Sequence, residues 1–285
     1  MDQFHFDPEV QEVAQLHIEK VAKLEESEAR KLLKKYREVR QELRDRLDTL
    51  PRETFSAQHV RSVLVQVNMA IDAMTERLKG SMGDSAPVMA EAGVEHLVKE
   101  LNHFNKKFTG SVIPIKVDAV AASLDTSNFL FEKYDSSWEA FGTTFKSRAA
   151  DVITNALIEQ TSVSEIVQRL GKGFAGYEWE LHRIARTELH NVYNVGKLRT
   201  MGDLAEGSIP DLFKTLMHPM DSRTAEDSKL AAKLHLIVPV DEPFEYEWEG
   251  KLRSFMAPPD RPNDRAILVP YREEWGAMPS KFSPS

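Results

Sequence analysis

The side chains with the most chemical potential lie between His182 and His235. His182, Glu188, His190, His218, Asp221, Asp227 and His235 are imidazole and carboxylate donors of the kind a divalent ion takes. A hydrolytic site would draw such ligands to ~2.0–2.2 Å from one ion, commonly with a histidine pair at i, i+4. That spacing does not occur: His182 and Glu188 are six apart, and His218 and Asp221 flank Pro219. No metal and no cofactor is expected. A second constellation is Arg183-Ile184-Ala185-Arg186-Thr187-Glu188. On a helix, Arg183 and Thr187 stand one turn apart, as do Ile184 and Glu188, so the polar members occupy adjacent strips. A catalytic arginine–glutamate pair fits this pattern. So does a clamp in which Arg186 or Glu188 holds the loop Asp221-Ser222-Arg223-Thr224, and the fork geometry of guanidinium and carboxylate favours the clamp.

A third feature is the basic run from Arg30 to Arg46, which includes Arg30, Lys31, Lys34, Lys35, Arg37, Arg40 and Arg44, interrupted by Glu38, Glu42 and Asp45. Such a stripe either tracks phosphates or docks on an acidic partner, or it is a solvated helix face whose charges alternate. Gly171-Lys172-Gly173-Phe174-Ala175-Gly176 lacks the spacing and the Lys-Ser/Thr ending of a phosphate loop. It reads as a helix stop. The chain has no cysteine, which excludes disulfides, thiolate metal sites and cysteine nucleophiles together.

These residues need helices to carry them. From Asp7 to Leu50 there is no glycine, Pro8 suits a first helical turn, and Leu32, Tyr36, Val39, Leu43, Leu47 and Leu50 recur at helical spacing. One long amphipathic helix ending at Pro51 is expected. A second runs from Ser56 through Val60, Val67, Ile71 and Leu78 to a stop at Gly80, and a third from Ser85-Ala86-Pro87 to Gly110. Val112 to Ile115 suits an extended connector, and helical spacing resumes from Asn128 to Gln160. Ser162 with Glu165 has the capping-box spacing before a short helix ending at Gly171, and another helix follows from Tyr177 to Met201. Beyond Pro239, Phe244 to Trp248 alternates and Gly250 breaks it before Leu252 to Met256, a hairpin pattern. Ala266 to Val269 adds a short strand before a proline-punctuated tail. The fold class expected is mainly α with a small β-rich C-terminal part.

Composition sets outer limits. With 285 residues, 41% of them hydrophobic and 29% charged, the chain has the make-up of an ordinary globular protein of about two domains. Met1 to Asp7 has no basic region followed by an apolar stretch, so a cytosolic protein is expected. A net charge of −8 argues against a surface that binds nucleic acid all over and leaves room for a local basic patch.

Ile184-Ala185-Arg186-Thr187-Glu188, followed by Asn191, Asn194 and Gly196, resembles the central motif of phage head morphogenesis proteins, the Mu F-like minor head protein family. Ala156 to Ile166 is similar to the family's helix-turn-helix before that motif. Asp221-Ser222-Arg223-Thr224 is similar to its aspartate-x-arginine-threonine element, Asp241 to Phe244 to its acidic-proline-phenylalanine turn, and Pro258-Pro259 to Asn263 to its proline-rich C-terminal approach. The chain departs from the family pattern at Asp227-Ser228, where a histidine is common, and at Asp264-Arg265-Ala266, where a cysteine-arginine-cysteine is common. No ligand is carried over at those places.

The resemblance covers residues 128–270, about half the chain, and implies a domain there; the helical spacing and the prolines set a helical docking region at 1–110, a connector at 111–127 and an extended tail at 271–285. It implies a minor structural protein of a tailed-phage head at the portal vertex, acting in head assembly and DNA packaging or delivery. The implied partners are the portal protein, the major capsid or scaffolding protein, and phage DNA, with no membrane. The implied locations are the virion and, during assembly, the host cytoplasm. Arg186, Thr187, Glu188, Asn191, Asp221, Arg223 and Thr224 would form the structural clamp. The alternatives are an ADP-ribosyltransferase-like nucleotide-dependent enzyme and a DNA-binding packaging factor that uses Arg30 to Arg46.

Overall fold

The computed structural model describes residues 7–48, 57–113, 115, 117, 138–155, 158–159, 163–219 and 221–275. The protein is mainly helical, with a small antiparallel β-part near its C-terminus. Helix α1 spans Pro8–Asp48 and α2 spans Ala57–Thr109. A shorter α3 covers residues 138–155, α4 runs over Val163–Glu206, and α5 covers Glu226–Leu234. The Pro51 stop, most of the 111–127 connector, the helix start at Asn128, the Ser162 cap and the tail beyond Trp275 lie outside the described residues.

Two expected helix breaks are absent. Residues 57–109 form one helix with Pro87 inside it, where Gly80 and Ser85-Ala86-Pro87 predict a stop and a restart. An internal proline costs about 3 kcal/mol and an exposed glycine about 1 kcal/mol. Met82, Ala86, Met89 and Ala90 around Pro87 are all buried. Burial of several side chains at ~1.5–3 kcal/mol for each large one offsets the penalty. Likewise α4 passes through Gly171, Gly173 and Gly176 without interruption, because Leu170, Phe174 and Tyr177 keep its apolar side buried.

The chain forms two compact units that do not follow chain order. Unit 1 comprises Met1–Glu26, Ala86–Asn128 and Arg186–Ser285; unit 2 comprises Ser27–Ser85 and Phe129–Ala185. The core of unit 2 is aromatic: the ring of Phe145 lies 4.5 Å from those of Phe174 and Tyr177, 5.7 Å from Phe141 and 6.4 Å from Tyr36. The Tyr36 hydroxyl donates to the Phe174 carbonyl at 2.5 Å.

In unit 1, α2 and α4 cross at two glycines. A Cβ on Gly93 would lie 2.3 Å from the Tyr193 carbonyl oxygen, and one on Gly196 would lie 3.0 Å from that of Ala90. Only hydrogen fits at Gly93, and at Gly196 a methyl would force the Ala90 backbone to give. The β-part comprises strands β1 (Leu212–Met217), β2 (Ile237–Pro239), β3 (Phe244–Trp248), β4 (Lys251–Phe255) and β5 (Ile267–Arg272). Three of them form an antiparallel sheet in the order β2-β1-β5. Pro270 is tolerated because β5 is an edge strand, where a missing N–H breaks no ladder on the open side. The hairpin predicted around Gly250 is present, with Phe244 paired to Phe255 and Trp248 to Lys251. Its turn residues Glu249 and Gly250 have φ of 50° and 71°, the left-handed pair that a two-residue hairpin turn needs. Leu216, Phe244 and Leu268 form the core that joins hairpin and sheet.

Candidate functional site

From Arg186 onward the motif segment of α4 lies in unit 1, and its side chains reach the segment that leads into β5. Asn194 is fully buried, and its amide nitrogen donates to the carbonyls of His190 at 3.2 Å and Ala266 at 3.3 Å. Its amide oxygen accepts from the Leu268 N–H at 2.8 Å, so one side chain satisfies the start of β5 on both sides. One turn earlier, the His190 Nε2 lies 2.5 Å from the same Ala266 carbonyl, and Nδ1 lies 2.5 Å from the Glu25 carboxylate. Both neighbours are acceptors, so both ring nitrogens donate and the ring is an imidazolium. Burial opposes that charge, and the Glu25 carboxylate outweighs it, holding the His190 pKa above its ordinary value. Arg186 approaches Glu25 as well, at 3.7 Å. Thr187 Oγ1 accepts from the N–H of Asn263 at 3.4 Å, and Asn263 itself has a left-handed φ of 65°.

The loop after β1 is tied to the same segment. Arg265 takes Asp221 with both guanidinium nitrogens, at 2.6 and 2.9 Å. This fork, with help from the Arg223 N–H, holds the Asp221 carboxyl well below the usual carboxylate range. Thr224 is buried; its hydroxyl accepts from the Asp221 N–H at 3.2 Å and donates to the Pro219 carbonyl, closing the turn. The fork that the sequence assigned to Arg186 or Glu188 is therefore made on Asp221 by Arg265. Arg223 is exposed, with its guanidinium 3.4 Å from Asp221, and Glu188 and Asn191 are half-buried on α4.

A second knot sits beside the first. Arg261 stands 2.6 Å from Asp227 and 3.0 Å from Asp260, and donates to the Ser228 hydroxyl at 2.5 Å. Burial, reinforced by Asp264, raises the Asp260 pKa. His218 is buried nearby, and neither of its ring nitrogens has a hydrogen-bond partner among the described residues. Burial pushes its pKa down. The candidate metal donors are thus dispersed: His190 serves Glu25, Asp221 serves Arg265, Asp227 serves Arg261, and His235 ends α5 at φ 46°. Among the described residues, no three His, Asp or Glu side chains are placed to hold one ion.

Sequence reasoning missed a third cluster, in the helices of unit 1. Lys197 and Glu100 pair at 2.6 Å with both side chains fully buried, and Glu100 also meets His17 at 2.6 Å. The His17 and His96 rings stack 4.0 Å apart, and His96 Nδ1 lies 2.9 Å from the Tyr193 hydroxyl. Burial and the neighbouring His17 push the His96 pKa down to about 3. Burial likewise lowers that of Lys197, against the pull of Glu100.

The chain matches no protein-family model, no curated protein and no solved structure. No described helix is long and apolar enough to cross a membrane.

The basic run of α1 lies in unit 2 and is largely engaged. Lys31 meets Glu28 at 2.7 Å and Lys35 meets Glu38 at 3.2 Å. Arg37 and Arg40 both meet Glu178, each at 2.7 Å. Arg30, Lys34 and Arg44 stand on the exposed side of the same helix.

Proposed function

We propose that the protein is a minor structural protein of a tailed-phage head, bound at the portal vertex and acting in head assembly and DNA packaging or delivery. One observation carries this reading. Of the stretches that resemble the Mu F-like family, 186–196 and 258–263 meet in unit 1 through Thr187–Asn263, and the segment directly after 263 holds the others, Arg265 taking Asp221 of 221–224 and the Leu268 N–H taking Asn194. A motif whose members hold one another across some 80 residues of chain behaves as an architectural module. Arg186, His190 and Asn194 take internal partners, which supports a structural role for the motif over a catalytic one. The partners proposed are the portal protein and the capsid or scaffolding protein, in the host cytoplasm during assembly and in the virion afterwards.

The test is to mix the purified chain with the portal ring of its phage and follow size-exclusion chromatography by light scattering. A complex of defined stoichiometry is expected. A monodisperse free chain beside a free ring removes the portal assignment.

A further inference from the structure

We propose that residues 8–26 of α1 form an acid-released latch: a proton taken up by the buried His17–His96 stack frees them from α2 and α4 while the rest of the fold stays in place. His17 of α1 and His96 of α2 lie face to face, with ring centres 4.0 Å apart and planes 1° apart, and both side chains are buried. Lys197 of α4 shares the site. Its ammonium and the His17 ring both take the carboxylate of Glu100, each at 2.6 Å. Three bases thus converge on one carboxylate, whose charge Lys197 already balances. A further proton leaves an uncompensated charge in a water-poor interior, and opening relieves it.

The groups around His96 make it the one that answers. His17 and Lys20 face it from α1, Lys99 from its own helix and Lys197 from α4, and each disfavours a charge on its ring. The carboxylates of this region are engaged by other bases: Glu100 by His17 and Lys197, Glu95 by Lys99 at 2.9 Å, and Glu25 by His190 at 2.5 Å. The Tyr193 hydroxyl of α4, 2.9 Å from His96 Nδ1, is kept protonated by burial. Burial first, and these cations after it, hold the His96 pKa at about 3 in the closed form. In an open form the ring titrates near its ordinary value of about 6.5. The open form therefore holds the extra proton between those limits, and its population rises up to about tenfold for each pH unit below about 6.5. His190 works in the other sense: burial opposes its charge, Glu25 outweighs burial, and its pKa is raised. Below about 6.5 a solvated His190 is charged with or without Glu25, so it does not hold the latch shut there.

The remainder of unit 1 has other ties. Helices α2 and α4 cross backbone against backbone, at Gly93 beside the Tyr193 carbonyl and at Gly196 beside Ala90, and Asn194 fastens β5 to α4. The 8–26 stretch is held by the buried stripe Val10, Ala14, Ile18 and Val21 and by the charged groups just named. At its outer end Lys107 takes Asp7 and Glu9, and His103 takes Glu9, all near the surface, where ion pairs contribute little. A terminal segment with few ties opens more readily than a core. From residue 27 onward α1 belongs to unit 2, where Tyr36 donates to the Phe174 carbonyl. A fall in pH is thereby converted into an uncovered apolar helix face.

The proposal stands apart from the head-protein reading, since it concerns the titration of the free chain. The lack of cysteine supplies the test. Ala14→Cys puts a single thiol on the buried side of α1, and Ala149→Cys puts one in α3 of unit 2; Ala14 is 0% and Ala149 1% exposed. Each full chain is labelled with dithiodipyridine, which reacts with thiols in mild acid, at pH 6.5 and pH 5, and the rate is divided by that of the urea-unfolded chain. At Ala14→Cys the ratio should rise about tenfold on acidification, and at pH 5 it should exceed that at Ala149→Cys about tenfold or more. Adding His96→Gln should abolish the rise. Adding Glu9→Gln, which removes the surface contact with His103, should leave it intact. Labelling at Ala14→Cys that ignores pH overturns the proposal. Equal ratios at the two thiols overturn it as well, because the whole fold then opens together. These two readings need no histidine variant, so they decide the matter even where His96→Gln fails to fold. A rise that survives His96→Gln, or one that vanishes with Glu9→Gln, moves the titrating group away from the stack and overturns the latch.

Discussion

In unit 1 the Lys197 ammonium and the Glu100 carboxylate meet with neither side chain exposed, whereas in unit 2 Arg77, Lys146 and Arg169 find their carboxylates at the surface. Unit 2 fills its interior with rings instead, Phe145 alone contacting four of them. The same chain thus uses two means of fixing helices. Buried charge specifies one arrangement because a slipped helix would strand an ion in an apolar interior. Aromatic packing is insensitive to protons and salt and sensitive to volume.

The largest effect should come from breaking the buried pair. Lys197→Ala leaves Glu100 with His17 as its partner and should cost about 3–5 kcal/mol, read as a lower urea midpoint. Lys197→Met combined with Glu100→Gln should recover much of the loss; a single variant within about 1 kcal/mol of the parent would contradict the contrast. In unit 2, Phe145→Ala should cost about 3–4 kcal/mol through the cavity it leaves, equally at pH 6 and pH 8.

Next in size are two histidines that titrate in opposite senses. His96 stays neutral when folded but takes a proton when unfolded below about pH 6.5. The unfolded state then holds more protons, so stability falls as pH drops from about 6.5 toward 3, by at most about 1.4 kcal/mol per unit. The pKa of His190 is raised, so its contribution is present below about 6.5 and is lost as pH rises through its folded value. Melting temperature against pH should therefore show two limbs: His96→Gln flattening the acid one, His190→Gln the alkaline one. The smallest change belongs to Arg77→Ala. Its contact with Glu42 at 2.8 Å is exposed on both sides and should contribute less than about 1 kcal/mol, vanishing in high salt.

The sequence made the helices of the β-distal part legible and misjudged where they end. Leu32, Tyr36 and Val39 recur at 3–4 spacing and are buried, as the amphipathic pattern of α1 requires. Gly80 and Gly171 read as stops and Pro87 as a start because local propensity is all that a window of sequence contains, while the packing of Met82, Met89 and Phe174 that overrides it is tertiary. Strand β1 and helix α5 went unread, the first because Leu212 to Met217 is a short apolar run of either type. The buried network left a signal that was present and not used. Glu25 falls in the stripe of Ile18, Val21, Ala29 and Leu32, Glu100 in that of Leu97, Leu101 and Phe104, and Lys197 in that of Leu189, Tyr193 and Met201. A charge at a position the helical period assigns to the core requires a partner of opposite sign. Which of several such positions pair is decided by helix crossing, here by the close approach that Gly93 and Gly196 permit.

The order in which the ribosome delivers the two units differs. All of unit 2 has been made once Ala185 is added, while unit 1 draws on residues 1–26 and 86–128 and waits for 186–285. At about 5–20 residues per second, the first strand of unit 1 to meet Asn194, β5 at Leu268, arrives several seconds after unit 2 is complete. During that interval the Lys197 and Glu100 charges can already find each other, but His190 and Asn194 have no Ala266 carbonyl to bind. A nascent chain stalled before Ala266 would therefore show these two side chains to solvent and to chaperones, and release of the last stretch is what seals them.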